Sequence, residues 1–152
     1  MSVRVKANIS ESKMFLEASR SSAKRGTMIG EVPVGVVFVL HYRIIASGFN
    51  CTQALTNPMA HAEMLAILSA SKLVKHRSLP YCSLISTAEP CSMCFGMMLG
   101  RKVGRLTFPM AHQKQLGHLD HSPIKKLIVD VGCSYDLKTF FRRAQILKAK
   151  EL

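Results

Sequence analysis

The chain has 152 residues, a length typical of one domain with a buried core. Lysine and arginine number 21 against 9 acidic residues, which gives a formal charge of +12. Hydrophobic residues make up 48% of the chain and charged residues 20%, a globular composition that excludes a disordered basic tail. The best apolar stretch, residues 32–40, is far shorter than the roughly 20 residues of a membrane-spanning helix. No secretory signal is visible either, and we expect a cytoplasmic protein without a membrane partner.

The positive charge and the cysteines are the two features of the composition that need an explanation. A large positive excess commonly serves to bind a polyanion, although charge alone also fits a role in solubility. Because the cysteines are odd in number and the chain is expected in the cytoplasm, a disulfide framework is disfavoured. Metal binding or buried free thiols are the better interpretations of Cys51, Cys82, Cys91, Cys94 and Cys133.

Hydrophobic periodicity predicts alternating helices and strands within a single domain, residues 1–152. In chain order the predicted elements are a helix from about Asn8 to Gly26, strands at Val34–Leu40 and Ile44–Phe49, a helix from Asn57 to about Leu73, a strand at Leu84–Thr87, a short helix from Pro90 to Gly100, strands at Val103–Phe108 and Leu127–Val131, and a basic helix at about 135–150. A hairpin followed by helices and strands in alternation predicts an α/β fold, in which a mixed five-stranded sheet carries helices on its faces.

Cys91 and Cys94 form the sharpest local motif. At a spacing of three residues they share one face of a helix, and Pro90 places them in its first turn, where free N–H groups favour thiolates. Such a pair suits zinc, but it also occurs in redox motifs and in structural sites that use a second C-x-x-C. The chain has no second pair, and no strand–motif–helix unit at its start supports a thioredoxin-like role.

His61 and Glu63 are predicted to lie at the start of the other internal helix. Alone, each is an ordinary capping or first-turn residue. Together with Cys91 and Cys94, His61 completes a set of three ligands, which leaves zinc a fourth position for water, as in catalytic sites. Glu63 lies two residues further, about 200° around an ideal helix, and is therefore expected outside the ligand set. From there its carboxylate can approach the water.

These motifs carry a resemblance to a known enzyme family. His61-Ala-Glu63 and Pro90-Cys-Ser-Met-Cys94 resemble the H-x-E…P-C-x-x-C signature of zinc-dependent nucleobase deaminases. Three longer blocks, Glu31–Gly35, Asn57–Glu63 and Glu89–Cys94, are similar to the bacterial tRNA-specific adenosine deaminases. The similarity covers about residues 10–108 and resumes at Phe140–Arg143.

The resemblance implies a fold, a cofactor and a reaction. The fold is the three-layer α-β-α arrangement of cytidine deaminases, with one Zn²⁺ per subunit and a homodimeric assembly. The reaction is the hydrolytic deamination of adenosine to inosine at the wobble position of a tRNA anticodon. The implied roles are zinc ligation by His61, Cys91 and Cys94, proton transfer by Glu63, substrate binding by Asn50, Ala62 and Glu89, and contact with the anticodon stem-loop by Phe141, Arg142 and Arg143.

Residues 109–117 depart from the family pattern, which leaves the substrate open. One alternative is a zinc-dependent deaminase of a free nucleobase or nucleoside, such as guanine or cytosine. Another is a non-catalytic zinc subunit that binds nucleic acid, which Glu63 argues against because such a subunit does not need it. His112, His118 and His121 fit a solvated basic loop better than a second metal site.

Overall fold

The computed structural model describes residues 9–109 and 124–129. In chain order its elements are α1 (Ile9–Met28), β1 (Gly35–Leu40), β2 (Arg43–Phe49), α2 (Ala62–Val74), β3 (Cys82–Ser86), α3 (Ser92–Gly100), β4 (Arg105–Pro109) and β5 (Lys125–Val129). Among these helices, none has the length and hydrophobicity needed to cross a membrane.

The strands form one sheet in the order β2-β1-β3-β4-β5. β1 pairs antiparallel with both β2 and β3, whereas β3, β4 and β5 pair in parallel. The predicted mixed five-stranded sheet is therefore confirmed. β1 lies inside the sheet between two neighbours, which explains its continuous run of buried apolar residues.

Helices cover both faces of the sheet, as the α-β-α prediction requires. On one face α1 packs against β1 and β3 through a cluster of Phe15, Leu16, Val37, Val39 and Ile85. On the other face α2 and α3 bury a larger cluster that includes Phe38, Ala66, Ile67, Phe95 and Met98. Because side chains alternate along β1, Val37 and Phe38 point to opposite faces and enter different clusters.

The start of α2 differs from the prediction. The helix begins at Ala62 with His61 as N-cap, not at Asn57. The preceding segment has hydrogen bonds of its own, since Asn57 Oδ1 accepts from the N–H of Met59 at 2.9 Å. The N–H of Cys51 also donates to the carbonyl of Ala60 at 3.0 Å, which closes the segment into a loop.

The close packing of α2 against β2 depends on Gly48. A Cβ atom at this position would lie 2.4 Å from the carbonyl oxygen of Ala62, a distance that no packed side chain tolerates. A residue without a side chain therefore lets the first turn of α2 rest directly on β2. This contact fixes where His61, the residue before that turn, is placed.

Other element boundaries differ from the predicted ones as well. α3 begins at Ser92 with Cys91 as N-cap, so Cys91 precedes the helix in which it was predicted. β5 begins at Lys125 rather than Leu127, and residues 130 and 131 lie outside the described part. The predicted basic helix at about 135–150, with Phe141, Arg142 and Arg143, also lies outside the described residues, as do His112, His118 and His121.

Candidate metal centre and active site

Two helix N-termini converge on one point of the structure. His61 caps α2 with φ −72° and ψ 153°, and Cys91 caps α3 with φ −70° and ψ 168°. Neither residue uses its side chain to cap its own helix, so the imidazole and the thiol can serve another purpose. The positive ends of the two helix dipoles favour anionic groups at this point.

The side chains of His61, Cys91 and Cys94 meet there. The Nδ1 atom of His61 lies 3.7 Å from Cys91 Sγ and 3.6 Å from Cys94 Sγ. All three donor atoms lie within 4.8 Å of one another and could hold a metal ion. Tetrahedral zinc, with its usual bond lengths to sulfur and nitrogen, would separate such a nitrogen and sulfur by about 3.6 Å. The donor set therefore fits zinc in both chemistry and spacing.

Cys94 lies on the buried side of this group. Its side chain is fully buried, and burial raises the pKa of its thiol, with further contributions from the charges of Glu63 and Cys91. A thiol in such surroundings stays neutral unless a cation compensates its thiolate. A divalent metal at the donor set would provide that compensation.

Glu63 lies next to the donor set without belonging to it. Its side chain is only 3% exposed, and its Oε2 atom lies 3.6 Å from Cys94 Sγ. Burial raises the pKa of Glu63, while its own backbone N–H, the charge of His61, and hydrogen bonds from Cys94 and Ser86 act to lower it. The structure thus brings a buried carboxylate to the edge of the metal donors, as expected from the sequence.

Asn50 joins the end of β2 to the start of α2. Its Oδ1 atom accepts a hydrogen bond from the backbone N–H of Ala62 at 3.0 Å, and its side chain is buried. Because Oδ1 accepts this bond, the amide N–H groups of the side chain are left to donate to a ligand. The same bond engages the Ala62 amide, which holds Asn50 in place. A contact of this amide with a substrate stays a prediction.

Glu31 is a site residue to which sequence reasoning assigned no role. Its side chain is fully buried, and its Oε1 accepts from the backbone N–H groups of Gln53 at 2.8 Å and Ala54 at 2.9 Å. Its Oε2 accepts from Thr52 Oγ1 at 3.1 Å. Glu31 therefore holds the loop that begins directly after Asn50. The sequence offered one sign of this role, because Glu31 lies within an apolar run. A carboxylate that is buried there needs hydrogen-bond donors from the protein.

The remaining predicted residue of this region is Glu89, which is half-buried in the segment between β3 and α3. It lies two residues before Cys91, so the same segment positions both side chains. Its contact with a substrate stays a prediction.

Comparison with known proteins supplies the family. Residues 9–110 match the cytidine and deoxycytidylate deaminase zinc-binding region. The chain belongs to this deaminase family. Zinc is therefore its cofactor, in agreement with the chemistry of the donor set.

Within the family the chain is similar to enzymes that are named for different substrates. The tRNA-specific adenosine deaminase of Buchnera aphidicola subspecies Baizongia pistaciae is 33% identical over 150 residues, which cover 91% of this chain and 93% of that protein. A solved structure from a study of A-to-I editing by tRNA:A34 deaminases has a TM-score of 0.63 at 34% identity, covering 65% of this chain and 76% of that one. A guanine deaminase of Bacillus subtilis has a TM-score of 0.60 at 33% identity, covering 63% and 62%.

Proposed function

We propose that this protein deaminates adenosine to inosine at the wobble position of a tRNA anticodon. The observation that carries the proposal is a zinc-type donor set beside the buried Glu63 carboxylate, in a chain that is 33% identical to a tRNA-specific adenosine deaminase over 91% of its length. The reaction consumes one water and releases ammonia.

In this proposal His61, Cys91 and Cys94 hold one Zn²⁺ per subunit. Zinc in such a three-ligand set supplies a Lewis acid that makes water a stronger nucleophile at neutral pH. The two cysteines contribute as thiolates, and the converging N-termini of α2 and α3 stabilise their negative charge. The imidazole of His61 contributes Nδ1, which lies 3.7 Å from Cys91 Sγ and 3.6 Å from Cys94 Sγ.

Glu63 carries the protons. Its carboxylate accepts one proton from the attacking water, whose oxygen forms a bond to C6 of the adenine, and delivers that proton to the adjacent ring nitrogen. It then transfers the remaining hydroxyl proton to the amino group, which leaves as ammonia while C6 becomes a carbonyl. The distance of 3.6 Å between its Oε2 atom and Cys94 Sγ supports this role.

Asn50 and Glu89 are the proposed substrate contacts. The amide N–H groups of Asn50 would donate to an acceptor nitrogen of the base, while its Oδ1 accepts from the Ala62 N–H. Glu89 is proposed to contact the same substrate from the segment that precedes Cys91. Asn50 would donate a hydrogen bond and Glu89 would accept one, and the pair would thereby orient the base before the reaction.

The RNA substrate is proposed to bind as a splayed anticodon stem-loop, because the target base must leave its stack to reach a buried site. The net charge of +12 favours such a partner. Phe141, Arg142 and Arg143 are proposed to contact the loop. We also propose a homodimer located in the cytoplasm, where tRNA is the available substrate.

A second candidate is the deamination of a free purine such as guanine. The similarity to the guanine deaminase of Bacillus subtilis favours it, since its TM-score of 0.60 is close to that of the tRNA deaminase structure. A free base does not require the basic excess of this chain, which is why the tRNA substrate is preferred.

The deciding experiment measures substrate choice. The purified protein is incubated with an anticodon stem-loop that carries adenosine at the wobble position, and separately with free guanine, cytosine and adenosine. We expect inosine only in the stem-loop. A matched stem-loop with the adenosine moved by one position is the control and should not react. Conversion of a free base without conversion of the stem-loop would replace the proposal by the second candidate.

A further inference from the structure

The end of the domain opposite the candidate active site has an unusual surface. α2 begins after His61 at the site and ends 13 residues later, with Lys75 as its C-cap. At the rise of an α-helix this places the two ends about 20 Å apart. We define the distal basic surface as Tyr42, Arg43, Arg77, Tyr81, Arg101 and Lys102.

The segments after α2 and α3 come together at this end. The Nη1 atom of Arg101 donates to the carbonyl of Arg77 at 3.5 Å, and the N–H of Leu79 donates to the carbonyl of Arg101 at 2.8 Å. Gly104, which follows α3, lies against the backbone of Pro80: a Cβ atom at position 104 would be 1.9 Å from the Pro80 carbonyl oxygen. Arg77 and Arg101 therefore lie on joined segments beside Tyr81.

The hairpin between β1 and β2 ends at the same place. Leu40 pairs with Arg43 in β2 and with Cys82 in β3, so the hairpin tip lies beside Tyr81. The two tip residues, His41 and Tyr42, have φ angles of 48° and 61°. Such left-handed conformations cost about 1–2 kcal/mol for a residue with a side chain, and glycine or asparagine would relieve this cost. The turn instead presents an aromatic side chain.

Charge and exposure distinguish this surface from an ordinary polar face. Four of its six residues are Lys or Arg, and segments 41–43, 72–81 and 101–105, from which they come, contain no Asp or Glu. Two tyrosines stand among them, Tyr81 being 82% exposed and Tyr42 74% exposed. Cations near helix C-termini stabilise the carbonyl ends, which explains some of the charge. That effect gives no reason for two exposed aromatic rings.

We propose that the distal basic surface binds the RNA backbone of tRNA outside the anticodon stem-loop. Arginine and lysine side chains pair with phosphates, and exposed tyrosine rings provide faces on which unpaired bases stack. The proposal rests on the proposed function, because it assigns a second contact surface to the same substrate. The surface lies about 20 Å along α2 from the candidate active site. We therefore expect this contact to change the affinity for tRNA and not the rate of the chemical step.

The test compares two variants that remove equal charge. Arg77→Gln/Lys102→Gln neutralises two exposed residues of the distal basic surface, and Lys13→Gln/Lys24→Gln neutralises two exposed residues of α1 on the other face of the sheet. Binding to a full-length tRNA and to its isolated anticodon stem-loop is measured as a function of salt, together with kcat and KM for deamination.

For the first variant we expect a several-fold weaker affinity for full-length tRNA. The slope of log affinity against log salt should fall in magnitude by about 1.4–1.8, as the loss of two phosphate contacts predicts. The affinity for the stem-loop and kcat should not change, and the α1 variant should behave as wild type. A third variant, Tyr81→Ala, should weaken tRNA binding while leaving the salt slope unchanged.

Three results would overturn the inference: equal losses in both double variants, no loss in either, or an equal loss for the stem-loop. The proposed function is tested separately by inosine formation in the wild-type protein. If wild type forms inosine and the distal variant binds tRNA normally, only this inference fails. If wild type binds tRNA through the surface but forms no inosine, only the proposed function fails.

Discussion

The side-chain oxygen of Asn50 accepts a hydrogen bond from the backbone N–H of Ala62 at 3.0 Å. This bond ties the end of β2 to the first residue of α2, directly after His61. The side chain thereby has one structural purpose, since its oxygen stabilises the helix start, and one proposed purpose, since its amide N–H groups are left to donate to a substrate. The two purposes can be separated by mutation.

Asn50→Asp keeps an oxygen for the Ala62 N–H but removes the donor for the base, whereas Asn50→Ala removes both. We expect both variants to raise KM strongly. Only Asn50→Ala should also lower the free energy of unfolding, by about 1–3 kcal/mol, because it leaves a buried N–H without an acceptor. Urea unfolding and steady-state kinetics distinguish the effects, and equal stability losses in both variants would contradict the assignment.

Glu63→Gln tests the proposed proton carrier. The amide has nearly the same shape but cannot accept and deliver protons, so we expect kcat to fall by about 10²–10⁴-fold. Zinc content should stay near one per chain, because Glu63 lies outside the donor set. Turnover within tenfold of wild type would show that another group moves the protons.

The cysteines provide a matched test of the metal site. Cys91→Ser and Cys94→Ser should each lose most of the bound zinc and all measurable activity. Cys51→Ser removes a half-buried thiol that lies outside the donor set and should retain both. Zinc is measured per folded chain, with circular dichroism as the control for folding. Full zinc content in either Cys91→Ser or Cys94→Ser would contradict the proposed ligands.

Glu31 is predicted to act as a positioning residue through the loop that it holds. Glu31→Ala leaves the N–H groups of Gln53 and Ala54 without their acceptor, so we expect a loss of about 2–3 kcal/mol in the free energy of unfolding. KM should rise as the loop after Asn50 loosens, with zinc content unchanged.

Glu31→Gln is the control for this prediction. It retains one side-chain oxygen and should recover part of both the stability and the substrate affinity. If KM stays at the wild-type value in Glu31→Ala, the loop does not position Asn50 and Glu31 is a structural residue only.

Short-range patterns in the sequence predict most of the elements and the Cys91/Cys94 pair, whose donor atoms meet His61 in the structure. The apolar run of β1 and the short spacing between Cys91 and Cys94 are visible without a partner. The start of α2 was wrong because Asn57 and Pro58 match a helix start locally, while the hydrogen bonds of the loop around Asn57 fix a different conformation.

The features that the sequence did not predict depend on contacts between distant parts of the chain. Glu31 and its donors are more than 20 residues apart, and Asn50 and Ala62 are 12 apart. No periodicity links such positions, so neither the role of Glu31 nor the engaged Ala62 amide followed from a pattern. The distal basic surface was likewise hidden, since its residues come from three separate segments.

The geometry of the metal site depends on Gly48, although Gly48 is not one of the metal donors. A single added carbon at this position would displace the Ala62 carbonyl, 2.4 Å away, and with it the imidazole of the preceding residue. The sulfur atoms belong to α3 and its cap and would not follow that movement. A relative could therefore retain every donor of the signature and still fail to bring them within bonding distance of one ion. The motif alone does not guarantee a metalloenzyme, because the missing side chain on β2 is also part of the requirement.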